Sequence, residues 1–219
     1  MSVKIEYGIH KETGKIKHIS EVERGEKSGC YCIECGEKLI VRKGKIQRPH
    51  FQHKTSTKCS GGNAETILHK IGKEILKNNN KILLSNERYF NYSEVEIEKK
   101  INDYKPDAII KNENNNWLIE IAVTHFLDND KIRKIQRDNR NCLEITLDKD
   151  LIYKEPEFIK KEVLNNPNNR KIIHDTELKK VKENSIKPRK EINWVPLAIV
   201  TIALIFRKPI RKFIKNIIG

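Results

Sequence analysis

Residues 104–124 read YKPDAIIKNENNNWLIEIAVT and contain two short apolar runs separated by a polar, asparagine-rich turn. Runs of β-branched and aromatic residues on either side of such a turn predict a β-hairpin. Each run carries one carboxylate, Asp107 or Glu120, among the apolar residues. Buried acids are rare unless they are paired or bind a metal. Because facing residues of an antiparallel pair lie about 4.5–5.5 Å apart, the two carboxylates could share one cation, and we predict a candidate active site here.

The composition of the whole chain favours an acidic partner. The 219 residues carry a formal net charge of +14, with a sequence pI near 9.5. A chain of this length can form one core plus a small appendage. Its charge favours nucleic acid or an anionic membrane as the partner. The alternative is a lysine-rich, solvated surface that reflects a biased composition.

Four of the five cysteines lie between residues 30 and 59. The first residues, MSVKIEYG, lack the apolar core of a signal peptide. We therefore expect a cytoplasmic protein, and in reducing cytosol clustered cysteines indicate a metal site rather than disulfides.

The segment that begins at Cys32 predicts a zinc site. A hairpin of residues 38–42 and 46–51, joined at Lys43-Gly44, would return the chain to the cysteine pair. Tetrahedral Zn²⁺ takes mixed cysteine and histidine ligands, and so small a unit would need the metal to fold. In the alternative interpretation the cysteines are reduced core residues. The predicted ligands are Cys32, Cys35, His53 and Cys59, with His50 as the substitute and Cys30 outside the set.

The spacing of apolar residues along the rest of the chain predicts an α/β (or α+β) fold with a mixed central sheet and at least one crossover helix. A first hairpin is expected from residues 3–7 and 15–19. Two short surface helices are expected within residues 157–184, followed by a charged linker. Between the first hairpin and the surface helices, we predict two helices and three strands. The first helix covers 64–77 and is capped by Asn63, and the second runs from Asp128 or Asn129 to about Arg140. The strands are expected at 81–84, 93–98 and 142–147.

Glu65, His69 and Lys73 recur every four residues of the helix predicted over 64–77. Residues at this spacing share one helical face. The face could belong to the candidate active site. It could equally be a solvated stripe of charge.

Residues 192–219 form a hydrophobic and amphipathic tail that predicts a membrane anchor, either a short span or an in-plane insertion. An uncharged stretch runs from Trp194 to Phe206, and a basic cluster that begins at Arg207 and Lys208 follows it. Boundary aromatics and basic residues suit a membrane interface. Alternatively the segment could pack on its own domain, or on a second copy in a homodimer.

The ordered set of motifs resembles the nuclease-like region of the competence protein CoiA family, within the PD-(D/E)XK nuclease superfamily. The resemblance spans roughly residues 1–147. It implies a restriction-endonuclease-like core sheet flanked by helices, a divalent-metal active site and a role on DNA. The motifs that carry it are YCIEC (31–35), HFQH (50–53), Cys59, ETILHKIGK (65–73), YKPDAII (104–110) and WLIEIAVT (117–124).

The resemblance also implies roles for single residues. Glu65 matches the helical acid, followed by His69 and Lys73, while Asp107 and Glu120 match the ligands of catalytic Mg²⁺ (or Mn²⁺). The superfamily places a lysine two residues after the strand acid, and CoiA-like relatives usually place a glutamine there. Here that position is Ala122. We expect a lysine of the next helix to reach the site instead, first Lys131 and second Lys134.

Two functions are therefore open. The first is a metal-dependent nuclease that acts on DNA in uptake, recombination or defence. The second is a non-catalytic, zinc-containing module that binds nucleic acid. The expected organisation is a zinc unit (1–60), a nuclease-like core (61–150), a helical extension with a linker (151–191) and the tail (192–219), which would hold the protein at the cytoplasmic face of a membrane.

Overall fold

The computed structural model describes residues 5–59 and 61–179. The described residues up to Thr176 form one compact unit. The linker after residue 184 and the predicted membrane anchor at 192–219 lie outside the described residues. Within the described part of the chain, no helix has the length and apolar character needed to cross a membrane.

A five-stranded mixed sheet forms the centre of the unit, in the order β12-β11-β10-β9-β8. Strands β10 and β11 are parallel, and helix α2 (Asn129–Arg137) crosses over between them; the other neighbours are antiparallel. This arrangement confirms the predicted mixed α/β class, and strands β9 and β10 form the predicted hairpin. The strands are β8 (Glu94–Ile97), β9 (Ala108–Lys111), β10 (Asn116–Ala122), β11 (Cys142–Thr146) and β12 (Arg170–His174).

Helix α1 (Ala64–Lys77) begins and ends where the sequence predicts. The side chain of Asn63 caps it by accepting a hydrogen bond from the Glu65 N–H at 2.9 Å. Its apolar face and that of α3 (Pro156–Asn165) share one core with the sheet. Gly72 lets α1 approach β10 closely, because a Cβ there would lie 2.6 Å from Cδ1 of Ile121.

Helix α2 (Asn129–Arg137) covers the opposite face of the sheet. Asp128 caps it, and Ile135 packs against Ile109, Leu118 and Cys142. The helix ends before Arg140, the expected boundary, and Asn139 turns the chain with a φ of 50°.

The N-terminal part has its own core and two small sheets. Strands β1 (Tyr7–His10), β2 (Ile16–His18) and β3 (Cys30–Tyr31) form one sheet, while β4 (Leu39–Arg42) pairs with β5 (His50–His53). The boundaries differ from those predicted. The first strand begins at Tyr7, because Ile5 bridges to Phe51 instead. The fifth begins at His50, since Ile46 lies 99% exposed in the preceding loop.

Strand β6 (Lys81–Ser85) confirms the strand predicted at 81–84. It pairs with β7 (Arg88–Asn91), for which the sequence predicted no strand, and lies outside the central sheet. One further prediction was wrong. The second helix expected within 157–184 is absent from residues 170–174. These residues, RKIIH, form β12, which covers the open edge of β11 with a β-branched segment.

Candidate active site and metal centre

Three carboxylates lie side by side across the central sheet. Ile119 pairs with Ala108, so the next facing pair in this register is Glu120 and Asp107. On the other side of β10, Glu120 pairs with Glu144 of the parallel strand β11. Because side chains alternate between the two faces of a strand, the three acids lie on the same face as Ile109, Leu118 and Cys142. That face packs under α2. The acids therefore continue the apolar rows just beyond the part of the sheet that α2 covers.

A cavity of about 260 Å³ opens at these acids. The structure brings five of the predicted residues to its wall, while Lys73 lies behind it and contacts Asp107. Lys134 does not line the cavity, because it pairs with Asp103 and Asp130 on the surface. The five predicted residues in the wall are Glu65, His69, Asp107, Glu120 and Lys131.

Asp107 is held as a carboxylate by its neighbours. Its Oδ1 lies 3.3 Å from Nδ1 of His69 and 3.1 Å from Nζ of Lys73, and its Oδ2 accepts a hydrogen bond from the Ile121 N–H at 2.9 Å. Burial opposes ionisation, but these contacts outweigh it and lower the pKa of Asp107 to about 2. Asp107 is therefore ionised at neutral pH.

Glu120 is the more deeply buried acid, and its chemistry differs from that of Asp107. Burial raises the pKa of Glu120 to about 7, although the nearby charge of Lys131 opposes the shift. Nζ of Lys131 lies 2.8 Å from each carboxylate oxygen, but only Oε2 receives a well-formed hydrogen bond. Oε1 is buried without a hydrogen-bond partner in the described protein. Such an orphaned oxygen has the electron pair that a metal ligand needs.

The face of α1 that carries Glu65, His69 and Lys73 is not a solvated stripe of charge. His69 and Lys73 contact Asp107, and Glu65 accepts a hydrogen bond from the Thr124 hydroxyl. Nδ1 of His125 lies 3.0 Å from Glu65. The Thr124 hydrogen bond, against a small effect of burial, lowers the pKa of Glu65. The helix thus supplies an ionised carboxylate at one side of the cavity.

Three further residues at or beside the site were not predicted from the sequence: Glu144, His125 and Glu98. Glu144 is buried in the cavity wall and accepts a hydrogen bond from the Leu127 N–H at 2.7 Å. It is the single acid of the apolar run CLEITL, the same signal that indicated Glu120. His125 and Glu98, which pairs with Lys73, belong to exposed polar stretches. Neither of these two residues is an isolated polar side chain within an apolar run, so the sequence does not mark them as site residues.

The acid pair suits a hard divalent cation that keeps some of its waters, and not a cation held entirely by protein ligands. Among the described residues, the one group of three or more side chains placed to hold an ion is a cysteine and histidine cluster, whose ligand atoms lie within 4.8 Å of one another. The acids of the cavity therefore do not form an all-protein cage. Mg²⁺ keeps several waters and typically takes one or two carboxylates. Ionised Asp107 and the orphaned oxygen of Glu120 fit that requirement.

The cluster itself consists of Cys32, Cys35, His53 and Cys59, the set predicted for zinc. The Sγ atoms of Cys32 and Cys59 are 3.8 Å apart, and Sγ of Cys35 is 3.4 Å from Nε2 of His53. A tetrahedral centre with Zn–S bonds of about 2.3 Å and a Zn–N bond of about 2.0–2.1 Å requires separations of about 3.8 and about 3.6 Å. The four side chains could therefore bind zinc.

The β4–β5 register explains why His53, and not His50, belongs to the cluster. His53 pairs with Leu39, at the end of the hairpin next to the cysteine turn, while His50 pairs with Arg42 at the other end. Nδ1 of His50 lies 2.9 Å from the Arg48 carbonyl oxygen. The Gly61 N–H donates to Sγ of Cys59 at 3.3 Å, a contact that would stabilise a thiolate. The register therefore places His53, the first choice, in the cluster and leaves the substitute, His50, outside it.

Residues 13–62 match the family described as competence protein CoiA, N-terminal domain. The match includes all four residues of the cysteine and histidine cluster and ends before α1. The similarity to this family covers the N-terminal domain alone, 50 of the 219 residues. No curated protein matches the chain.

Proposed function

We propose that the chain is a CoiA-like, metal-dependent nuclease of the PD-(D/E)XK type that hydrolyses phosphodiester bonds of DNA. The observation that carries the proposal is that Asp107 and Glu120 line one cavity together with the Lys131 ammonium. A module that only bound nucleic acid would gain nothing from this arrangement, since buried carboxylates repel phosphate.

The order of elements supports the same proposal. An acid-bearing helix, α1, precedes an antiparallel hairpin, and a crossover helix then leads to a parallel strand. This order places Glu65 and the two strand acids of the resemblance at one cavity. The match to the N-terminal domain of a competence protein supports a role on DNA.

The two strand acids would hold the cation. When bound, a divalent ion activates a water and neutralises charge that develops on the phosphate. Asp107 is prepared for this role because His69, Lys73 and the Ile121 N–H keep it ionised and fix its direction. Glu120, whose pKa burial raises to about 7, would bind the ion as the carboxylate and so would have to lose its proton first.

Lys131 would take the place of the lysine or glutamine missing at Ala122. Its backbone N–H is bonded to the capping side chain of Asp128, and its ammonium also donates to the Lys105 carbonyl oxygen at 3.1 Å. A preorganised positive charge beside the attacked phosphate stabilises the transition state. The start of α2 therefore supplies this charge from a helix instead of from β10.

The test is a cleavage assay on supercoiled, linear and single-stranded DNA and on RNA, with Mg²⁺ or Mn²⁺. We expect Asp107→Asn and Glu120→Gln to abolish metal-dependent cleavage, and Glu65→Gln to weaken it in part. Glu94→Gln is the matched control, because Glu94 is an exposed acid of the same sheet. Wild-type cleavage by both strand-acid variants would place the activity elsewhere. Binding without any cleavage would favour the non-catalytic module.

A further inference from the structure

A basic pocket lies at the β4–β5 hairpin and has a volume of about 470 Å³. Four cationic side chains line it, Arg24, Arg42, Lys43 and Lys45, together with two glutamines. Within the described chain, no carboxylate lines this pocket, and it shares no lining residue with the acidic cavity. A concave surface of one sign of charge concentrates anions.

The fold brings two of these arginines together at an electrostatic cost. Gly25 and Val41 form an antiparallel bridge, with N···O distances of 3.1 and 2.9 Å. The bridge places Arg24 beside Arg42, although they are far apart in sequence. Facing like charges destabilise a strand pair. Over the described residues, neither arginine lies within ion-pair distance of an acid. The nearest electrostatic partner is Glu26, which pairs with Lys54 and whose pKa is lowered first by Lys54 and also by the charge of Arg42.

Other contacts hold the pocket in shape. Nζ of Lys43 donates to the carbonyl oxygens of Ser20 and Val22, at 3.4 and 2.6 Å, and so ties the hairpin loop to the preceding turn. Nε of Arg42 donates to Oε1 of Gln52 at 2.9 Å. That hydrogen bond orients the guanidinium and leaves its terminal N–H groups for an anion. Positioned donors lose less entropy when a ligand binds.

We infer that this pocket binds the phosphodiester backbone of nucleic acid, as a second contact separate from the acidic cavity. Arginine presents a planar fork of donors that matches phosphate, and contacts to phosphate position a protein on nucleic acid without reading its sequence. Ile46, at 99% exposure between Lys45 and Gln47, offers an apolar contact for a sugar or an unstacked base. A membrane surface fits less well, because interfacial binding needs a broad apolar face and not one isoleucine.

The test compares two full-length, zinc-loaded variants that lose the same charge. The pocket variant is Arg24→Gln/Arg42→Gln/Lys45→Gln. The control is Lys70→Gln/Lys77→Gln/Lys161→Gln, three exposed lysines of α1 and α3. Binding of labelled duplex and single-stranded DNA is measured by anisotropy over a range of salt concentrations, without added divalent metal or chelator. Zinc content and thermal unfolding of both variants establish that they are folded.

We expect the pocket variant to bind at least about tenfold more weakly near 0.1 M salt, and the slope of log K against log[salt] to fall by about 2–3. The control should keep a slope close to that of the wild type. Equal losses in the two variants would overturn the inference, because net charge alone would then explain them. A loss of binding to anionic vesicles without a loss on DNA would overturn it in favour of a membrane.

The inference shares with the proposed function only its partner, nucleic acid. Because binding is read without cleavage, a catalytically inactive protein would leave the result unchanged. Conversely, cleavage by the wild type together with unaltered DNA binding by the pocket variant would overturn this inference alone.

Discussion

The ammonium of Lys131 lies among oxygens at the acidic cavity. It lies 2.8 Å from both oxygens of Glu120 and 3.1 Å from the Lys105 carbonyl oxygen. It offsets part of the energetic penalty of burying Glu120. Because Lys131 lines the same cavity, its ammonium would supply positive charge beside a phosphate bound there.

We therefore predict that Lys131→Met lowers the single-turnover cleavage rate by about 10²-fold or more, the usual effect of losing one preorganised charge. Lys134→Met is the matched control on the same helix. Its ammonium pairs with Asp103 and Asp130 on the surface, so the rate should stay near that of the wild type. If neither substitution changes the rate, no lysine of α2 has replaced the missing motif residue, and Ala122 marks a degenerate site.

Metal binding at this site should depend on pH, because Glu120 has a pKa of about 7 in the metal-free protein. Below that pH a cation must displace a proton, so the apparent affinity for Mn²⁺ should fall by up to about tenfold for each pH unit below 7. Asp107, with a pKa of about 2, contributes nothing in this range. Titration calorimetry between pH 8 and pH 5.5 measures the effect. An affinity that did not change with pH would contradict the proton-coupled site.

The raised pKa of Glu120 should also make the stability of the protein without bound metal depend on pH. Between the ordinary glutamate pKa of 4.5 and the value of about 7, the folded state holds a proton that the unfolded state has lost. The free energy of unfolding therefore decreases as the pH rises through this range, and the effect is complete above about pH 7. Glu120→Gln should remove this pH dependence.

At the level of single residues, the acids could be predicted because a carboxylate in an apolar run is conspicuous. This signal found Asp107 and Glu120, and it applies equally to Glu144. The contact of Lys131 with Glu120 rested on the family resemblance, since the distance depends on how the loop 123–128 returns α2 to the sheet. His125 contacts Glu65 through that same loop, for which periodicity carries no information.

Among the elements, α1 is placed against the sheet by the absence of a side chain at Gly72. We predict that Gly72→Ala stabilises the protein only when Cδ1 of Ile121 is also removed. Alanine is favoured over glycine within a helix by about 0.8–1.0 kcal/mol. In the wild type, the new Cβ would lie 2.6 Å from that methyl group, and the contact offsets or reverses the gain.

A double-mutant cycle of Gly72→Ala and Ile121→Val, read by chemical denaturation, measures this coupling. In the Ile121→Val background, Gly72→Ala should raise the free energy of unfolding by about 1 kcal/mol. An identical effect in both backgrounds would show that α1 does not rest on Ile121.

The β4–β5 hairpin and the cysteine turn should depend on zinc. We expect about one zinc per chain, lost in Cys35→Ser and His53→Ala, because both side chains belong to the four-residue cluster. His50→Ala is the matched control and should retain the metal. Metal analysis and limited proteolysis give the two readouts, and loss of zinc should expose residues 28–60 to cleavage. Retention of zinc by Cys35→Ser would disprove this ligand set.

Elements with their own periodicity could be predicted, and those that depend on a distant partner could not. Helix α1 has a capping residue and a continuous apolar stripe, so both of its ends were predicted correctly. Strand β12 forms because the edge of β11 is open, a condition set by residues far away in the chain. The true start of β5 likewise depends on pairing with β4, and nothing within residues 46–51 indicates it.

On the scale of the whole molecule, the net charge of +14 is unevenly distributed. Acids concentrate at the cavity beside α1 and α2, while the hairpin pocket is lined by cations without an acid among the described residues. A polyanion would therefore bind first through the basic surface and reach the acids only when a metal offsets their charge. This separation predicts DNA binding without metal and cleavage only with it.

The C-terminal tail, outside the described residues, keeps its sequence-based prediction of a membrane anchor. An uncharged helix over residues 194–206 would span about 20 Å, short of the bilayer core of about 30 Å, so an in-plane insertion or a short, locally thinned span is expected. Trp194 and the basic cluster from Arg207 suit the headgroup region on either side. We expect the full chain to sediment with membranes and to resist a high-salt wash, because apolar insertion is insensitive to salt. A chain that ends at Lys190 should stay in the supernatant. If the full chain stays in the supernatant as a monomer without detergent, residues 192–219 pack on their own domain, and a dimer under the same conditions would assign them to contacts between copies.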